Sequence, residues 1–383
     1  MSISDEPLVS NHEDSFSEIK IKLFFGLPFE DAIWLFIFCM TGIALGMAFE
    51  FLDLYSKDET PAADETFFLC FIGYWAQTIV SGTYALTKPN PFQGSWTKSV
   101  FKFLLISALF DGCAQALDYV GQVNGGYMLF TIFHASVTVF SCIIAVILLK
   151  VKISWKQWIG VILIVIGIFI TTFPNPIKVT GNFFLGFICS LFGSLSLAAS
   201  YPFSEMVFIQ GNKEKYGVIT EEMACAVGSL INTFIFTIWT CVYTIPNWKE
   251  TILHYTKPGD GNLKIIGFVF YGLMVGLHSL SFWKSIHKIG TVPTAVAKGA
   301  QQAGIFVFSH LIYCSYDESE CIDYNYGNSL WNKLQKSVSF CCCCIGVLIY
   351  TLNRNENNDD DKRIGSLSFA HSVLEKKERL DFI

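Results

Sequence analysis

The chain is short of charge and shortest of arginine. Its three arginines, Arg354, Arg363 and Arg379, all fall in the last thirty of 383 residues. Charged residues make up 15% of the chain and hydrophobic ones 52%, whereas a soluble domain carries about a quarter charged. With a net charge of −6 and no basic face with interleaved aromatics, nucleic acid is not an expected partner. The chain also lacks HExxH, GxSxG and any paired-aspartate loop motif. Hydrolases and transferases that work inside membranes need such nucleophile, base or metal-ligand sets, so an enzyme is not expected. No N-x-Ser/Thr sequon occurs, and residues 1–20 are acidic and polar rather than basic and then apolar. The first hydrophobic segment is therefore read as a retained membrane signal and not a cleaved one.

Apolar residues are what the chain has in abundance, with a mean hydropathy of +0.46. Segments of about 20 apolar residues, the length that crosses the hydrocarbon of a bilayer, recur at 32–52, 66–86, 100–120, 126–149, 155–173, 182–208, 222–245, 263–284, 291–313 and 334–352. The fold class expected is an all-α polytopic membrane protein with ten spans and the lipid bilayer as solvent. Lysine and arginine favour the cytoplasmic ends of spans. With the N-terminus cytoplasmic, eighteen basic residues fall on that side and seven on the other, which places both termini in the cytoplasm.

The two halves share a layout. Each joins two spans by a short turn, QVNGG after the third and KSIHKIG after the eighth. Five spans per half make the second half start from the opposite side, the geometry of an inverted repeat. The expected divisions are a cytoplasmic N-terminal segment at 1–31, five-span repeats at 32–173 and 174–352, and a charged tail at 353–383.

An ionisable group inside a span costs about 2.5–3.5 kcal/mol on insertion scales, so each one present needs a reason. Asp111, Gln115 and Asp118 are spaced i, i+4, i+7 and share one face of the third span. They either line a polar cavity, or Asp118 is hydrated near the non-cytoplasmic end while Gln115 ties two helices together. His134 stands nine residues into the fourth span and Lys298 eight residues into the ninth, which enter from opposite sides. A two-fold axis in the membrane plane would carry both to one central site; alternatively Lys298 reaches back to the interface along its stem and His134 is a packing residue. Gln301 and Gln302 follow one turn later, facing either a polar solute or neighbouring helices. The substrate-binding set expected is thus Lys298, His134, Asp111, Gln115, Gln301 and Gln302, with Asp111 and His134 as candidates for proton coupling.

Other residues read more plainly. Glu205, after Pro202, is expected to be a hydrated helix terminus. His278 and His310 are expected to be packing residues. The stretch Tyr216–Ile219 fits a tyrosine-type sorting signal. Most of the 13 cysteines lie in apolar runs, where a thiol behaves as a small hydrophobe. Cys341–Cys344 point around the whole helix and cannot converge on one metal, and no cofactor is implied. Cys314 and Cys321 flank an acidic loop on the non-cytoplasmic side, where a disulfide between them would staple it.

The ten-span layout, with the block LLKVKISWKQWIGVILIVIGIFI and within it Lys156-Gln157-Trp158-Ile159-Gly160, resembles the drug/metabolite transporter superfamily. Residues 30–353 are most similar to its solute carrier 35 and chloroquine-resistance-transporter-like branches. That resemblance implies a ten-helix carrier with a cavity lined by spans 1, 3, 4, 6, 8 and 9, working by alternating access on a small-molecule solute. Overlaying TAVAKGAQQAGIFVF on the nucleotide-sugar members puts Gln301 and Gln302 where those carriers tend to have Asn-Lys, with Lys298 one turn early. An organelle membrane, Golgi or endolysosomal, and a homodimer are compatible with this reading.

Overall fold

The structure is a computed structural model that describes residues 29–54, 67–172, 182–214, 216–249, 261–313 and 330–353. Among them there are helices and no strands. Nine α-helices follow in order: α1 Phe29–Leu54, α2 Phe68–Leu86, α3 Lys98–Leu148, α4 Trp155–Thr172, α5 Phe183–Gly211, α6 Glu221–Trp239, α7 Gly261–Ile289, α8 Thr291–Tyr313 and α9 Leu330–Leu352, with one π-helical segment, Thr240–Thr244, continuing α6. Side-chain oxygens cap three of the starts: Thr97 accepts from the Val100 amide, Asn182 from those of Phe184 and Leu185, and Thr220 from that of Met223. Each takes up a backbone donor that the first turn leaves unused. Five helical stretches are long and apolar enough to cross a membrane: Glu30–Ala48, Lys98–Gly125, Phe183–Gly211, Glu221–Thr244 and Gly261–Ile289.

The sequence breaks the 98–148 stretch into two spans at QVNGG, yet the backbone stays helical throughout. It nevertheless reverses direction. Ser107 donates to the Ser200 carbonyl of α5 at 3.2 Å, and Ser141 donates to the Ala198 carbonyl at 3.2 Å. Thirty-four residues would span roughly 51 Å along a straight helix, but these two contacts fall within one turn of α5. The order of contacts shows where the chain turns. Residues 107, 118 and 124 meet α5 at 200, 193 and 182, while 133 and 141 meet it at 187 and 198. So α3 has a first arm antiparallel to α5 and a second arm parallel to it, folded back near Gly125. The turn lies at the QVNGG segment, which holds no proline, so no amide donor is lost there.

Pro202 explains the second of those hydrogen bonds. Having no N–H, it leaves the carbonyl four residues earlier, that of Ala198, without its ladder partner. The buried hydroxyl of Ser141 takes that carbonyl, so the proline creates the joint between α5 and the second arm. Glu205, one turn further on, is not the hydrated terminus the sequence suggests. It is part-buried, and its Oε2 accepts from the Thr291 amide at 2.7 Å, a carboxylate capping the positive end of α8.

Backbones touch where α4 crosses α9. A Cβ at Gly160 would stand 2.6 Å from the Gly346 carbonyl oxygen, and one at Gly346 the same distance from that of Gly160. Around α9, Cys341 and Cys344 are exposed and Cys343 is buried, the spread that a helix imposes on four consecutive residues. In the Tyr216–Ile219 stretch Tyr216 is 72% exposed while Ile219 is 1% exposed; Gly217 accepts from the Ser95 amide, and the Tyr216 amide donates to Ser95 Oγ.

Replacing Ser141 by alanine should strand the Ala198 carbonyl, a loss of about 1–3 kcal/mol. Thermal unfolding in detergent is expected to show a lowered Tm for Ser141→Ala. In a Pro202→Ala background, where the ladder bond can re-form, the same change should cost much less.

Candidate functional site

The polar stripe of the first arm of α3 faces inward. Tyr74 of α2, itself buried and stacked on Phe236 at 5.3 Å, donates its hydroxyl to Asp111 Oδ2 at 2.8 Å. Two turns along, Asp118 is 6% exposed and so is not hydrated at the bundle end, as one sequence reading has it. It fits because Gly193 on α5 has no side chain: a Cβ there would lie 2.2 Å from Asp118 Oδ1. His134, from the second arm, brings Nδ1 to 3.7 Å from Asp118 Oδ2. Gln115 lies between the two aspartates on the same face, part-buried.

Lys298 enters from α8. It is part-buried, and its ammonium is coupled electrostatically to Asp118, Asp111 and the thiol of Cys39 on α1. Asp118 in turn feels both His134 and Lys298. Three of the sequence-predicted residues, Asp111, His134 and Lys298, therefore belong to one interior constellation, with Asp118 at its centre.

His278 of α7 joins them, which the sequence alone did not indicate. Its ring stacks on Phe38 with centroids 4.5 Å apart, and its Nδ1 lies 3.2 Å from the Phe38 carbonyl oxygen and 3.3 Å from Thr41 Oγ1. It packs, as expected, but it also faces Lys298 and His134 electrostatically.

Gln301 takes the neighbouring-helix role, one of the two that its spacing allows. It is 1% exposed, and its Nε2 donates to the Phe38 carbonyl at 2.8 Å. Gly42 on α1 makes the space, since a Cβ there would come within 2.4 Å of the amide. Gln301 is thus a strut between α1 and α8. Gln302 is part-buried and, one residue on, points roughly 100° away around the helix. A second amide, that of Asn232 on α6, went unnoticed in the sequence because it lies amid apolar residues; its Nδ2 donates to the Ala108 carbonyl at 2.8 Å, opposite Gly112. The side chain of His310, together with Cys314 and Cys321, lies outside the described residues. Among the described residues no group of three or more His, Cys, Asp and Glu is placed to hold a metal.

Chemically, the centre sets one fixed cation and two histidines against two carboxylates in a water-poor interior. Each charge is tolerated because another compensates it. A solute with charged or hydrogen-bonding ends could exchange for those internal partners, and a proton could balance the exchange.

Against known proteins, the first half of the chain has a clear counterpart. Residues 32–173 match the EamA-like transporter family. That is a family of membrane transporters, not of enzymes, and the long apolar helices fit a multi-pass membrane protein. A solved crystal structure superposes with a TM-score of 0.59, covering 84% of this chain and 96% of that one at 9% identity, a likeness of fold alone. No curated protein matches the chain.

If Gln301 is a strut, Gln301→Ala should lose about 0.5–1.5 kcal/mol of stability, the net worth of the hydrogen bond that joins α8 to α1. A lowered Tm with unchanged solute affinity is the expected result. Unchanged Tm with lost solute binding would return Gln301 to the binding set.

Proposed function

We propose that the protein is a secondary carrier that moves a small polar organic metabolite across a membrane by alternating access. On this reading the 32–173 match is the first of two five-span repeats, the second is 174–352, and the segments 1–31 and 353–383 lie together on the cytoplasmic side. The α3 arms count as two spans, so that nine α-helices give ten crossings. The packing supports the repeat, because the pairings are those an in-plane two-fold axis would generate. α4 packs on α9, α2 on α6, and the second arm of α3 on α8; α1 meets α7 as α5 meets the first arm of α3.

The observation that carries the function is that His134 stands 3.7 Å from Asp118 while the charge of Lys298 acts on the same carboxylate. His134 and Lys298 lie on the fourth and ninth crossings, equivalent by the repeat and inserted in opposite directions. Nothing in packing calls for a lysine, a histidine and two aspartates at one place, and ionisable groups gathered inside a bundle mark pathways for solutes and protons. An anionic end of a solute would take Lys298 from its carboxylates; its donors would be received by Asp118 and Asp111, with Gln115 and Gln302 as further contacts. Asp111 or His134 would hold a proton in one half of the cycle and give it up in the other. The solute carrier 35 and chloroquine-resistance-transporter-like branches are the parts of the superfamily it most resembles, and an organelle membrane of Golgi or endolysosomal type is the favoured location.

The test is flux. Solutes that raise Tm identify a ligand, since a ligand stabilises the state it binds; the radiolabelled solute is then offered to reconstituted liposomes. Lys298→Ala and Asp111→Asn should each lower exchange tenfold or more, a loss of about 1.4 kcal/mol or greater, with insertion unchanged. Wild-type exchange in both variants would refute the site.

A further inference from the structure

A second charged cluster stands apart from the centre, at one end of the same helices. Lys284, in the last turns of α7, donates to Glu222 Oε1 at 2.6 Å, and both are buried, at 8% and 3% exposure. Beside them, Nδ1 of His287 lies 2.6 Å from Glu221 Oε1. The two acids occupy the first turn of α6 and the two bases the end of α7, so each charge sits at the helix end whose dipole favours it.

The cluster binds more than two helices. The Lys284 ammonium lies over the rings of Trp34 on α1 at 4.6 Å and Tyr84 on α2 at 5.4 Å. The ring of His287 stacks on Phe208 of α5 at 4.4 Å, and Glu205 of α5 ties down the start of α8. Lys88 approaches Tyr84 from its exposed side at 5.0 Å. Helices α1, α2, α7 and α8, which carry Cys39, Tyr74, His278 and Lys298 of the centre, are thereby drawn together at one end. His278 stands six residues below Lys284 on α7, and Lys298 seven beyond Thr291 on α8, so the cluster is roughly 10 Å from the centre along the helix axes.

We propose that Glu222–Lys284 and Glu221–His287 form a latch that closes one mouth of the central site, with Trp34 and Tyr84 holding the Lys284 ammonium in place. The proposal rests on the carrier reading. Buried ion pairs suit the task, because the cost of desolvating both partners offsets much of their attraction. Parting α6 from α7 lets water reach all four groups together, so the shut and open forms stay close in free energy. A greasy seal of the same area would hold one form too firmly. The charges near these span ends read in the sequence only as markers of the cytoplasmic side.

Cys39 is the reporter, being part-buried and within electrostatic reach of Lys298. With Cys39 as the sole thiol, oriented proteoliposomes receive a membrane-impermeant maleimide on either face. Lys284→Gln and Glu222→Gln should speed labelling from the latch face at least tenfold and leave the other face unchanged; Lys284→Arg, which keeps the cation over the rings, should label at the parental rate. If neither buried variant inserts, Glu221→Gln with His287→Gln is read in the same way. Labelling within twofold of the parent, or faster from both faces alike, overturns the latch. A latch that gates Cys39 in a protein showing no flux with any stabilising solute would instead defeat the carrier reading.

Discussion

An ion placed in a water-poor interior must find its partner there, and the arrangement around Asp118 follows from that requirement. A carboxylate 6% exposed costs several kcal/mol in lost hydration unless opposite charge comes close. His134 comes within 3.7 Å of it from the returning arm of α3, and the charge of Lys298 on α8 acts on it at longer range. To place those two the chain must reverse near Gly125, α5 must present a glycine at 193, and α8 must start in register. Each has a local cause: a proline-free helical turn, the absent Gly193 side chain, and the Glu205 carboxylate at the Thr291 amide. The centre and the bundle around it are one solution to one electrostatic problem.

How much of this could be read beforehand depended on whether a residue's partner lay in a repeating pattern. The stripe of Asp111, Gln115 and Asp118 was legible because helical period alone puts them on one face. Their depth in two spans singles out His134 and Lys298, and the structure sets His134 beside Asp118 with the Lys298 charge acting on the same carboxylate. The reversal in α3 falls at QVNGG, the segment that reads as a short turn in the sequence. For Gln301 the spacing leaves a polar solute and a neighbouring helix equally open, because its partner is a main-chain carbonyl and main-chain acceptors leave no mark in a sequence. Glu205, Glu222, Lys284 and His287 were hidden for a related reason: a charge near a span end is the ordinary signature of topology, and nothing local tells a hydrated one from one tied to a helix elsewhere in the chain.

Pro202 shows how an apparent defect becomes a connection. A proline in mid-helix is usually discussed as a bend, but its effect here is felt four residues earlier, where the freed Ala198 carbonyl recruits Ser141. The same stretch carries Ser200 and Ser204 against Ser107 on the other arm. α5 is thereby held to both arms of α3 by hydroxyls, which exchange partners more easily than packed aliphatic side chains do.

The crossing of α4 and α9 has the opposite character. Gly160 and Gly346 bring their peptide groups into mutual contact, and the side chains of Ile164, Cys343 and Tyr350 pack around that point. Such a seam resists sliding while tolerating a small change of crossing angle about the contact point. On the carrier reading, α4 and α9 would supply the axle about which the halves tilt, set beside the charged interior, since Ile164 of α4 packs on Gly299 next to Lys298.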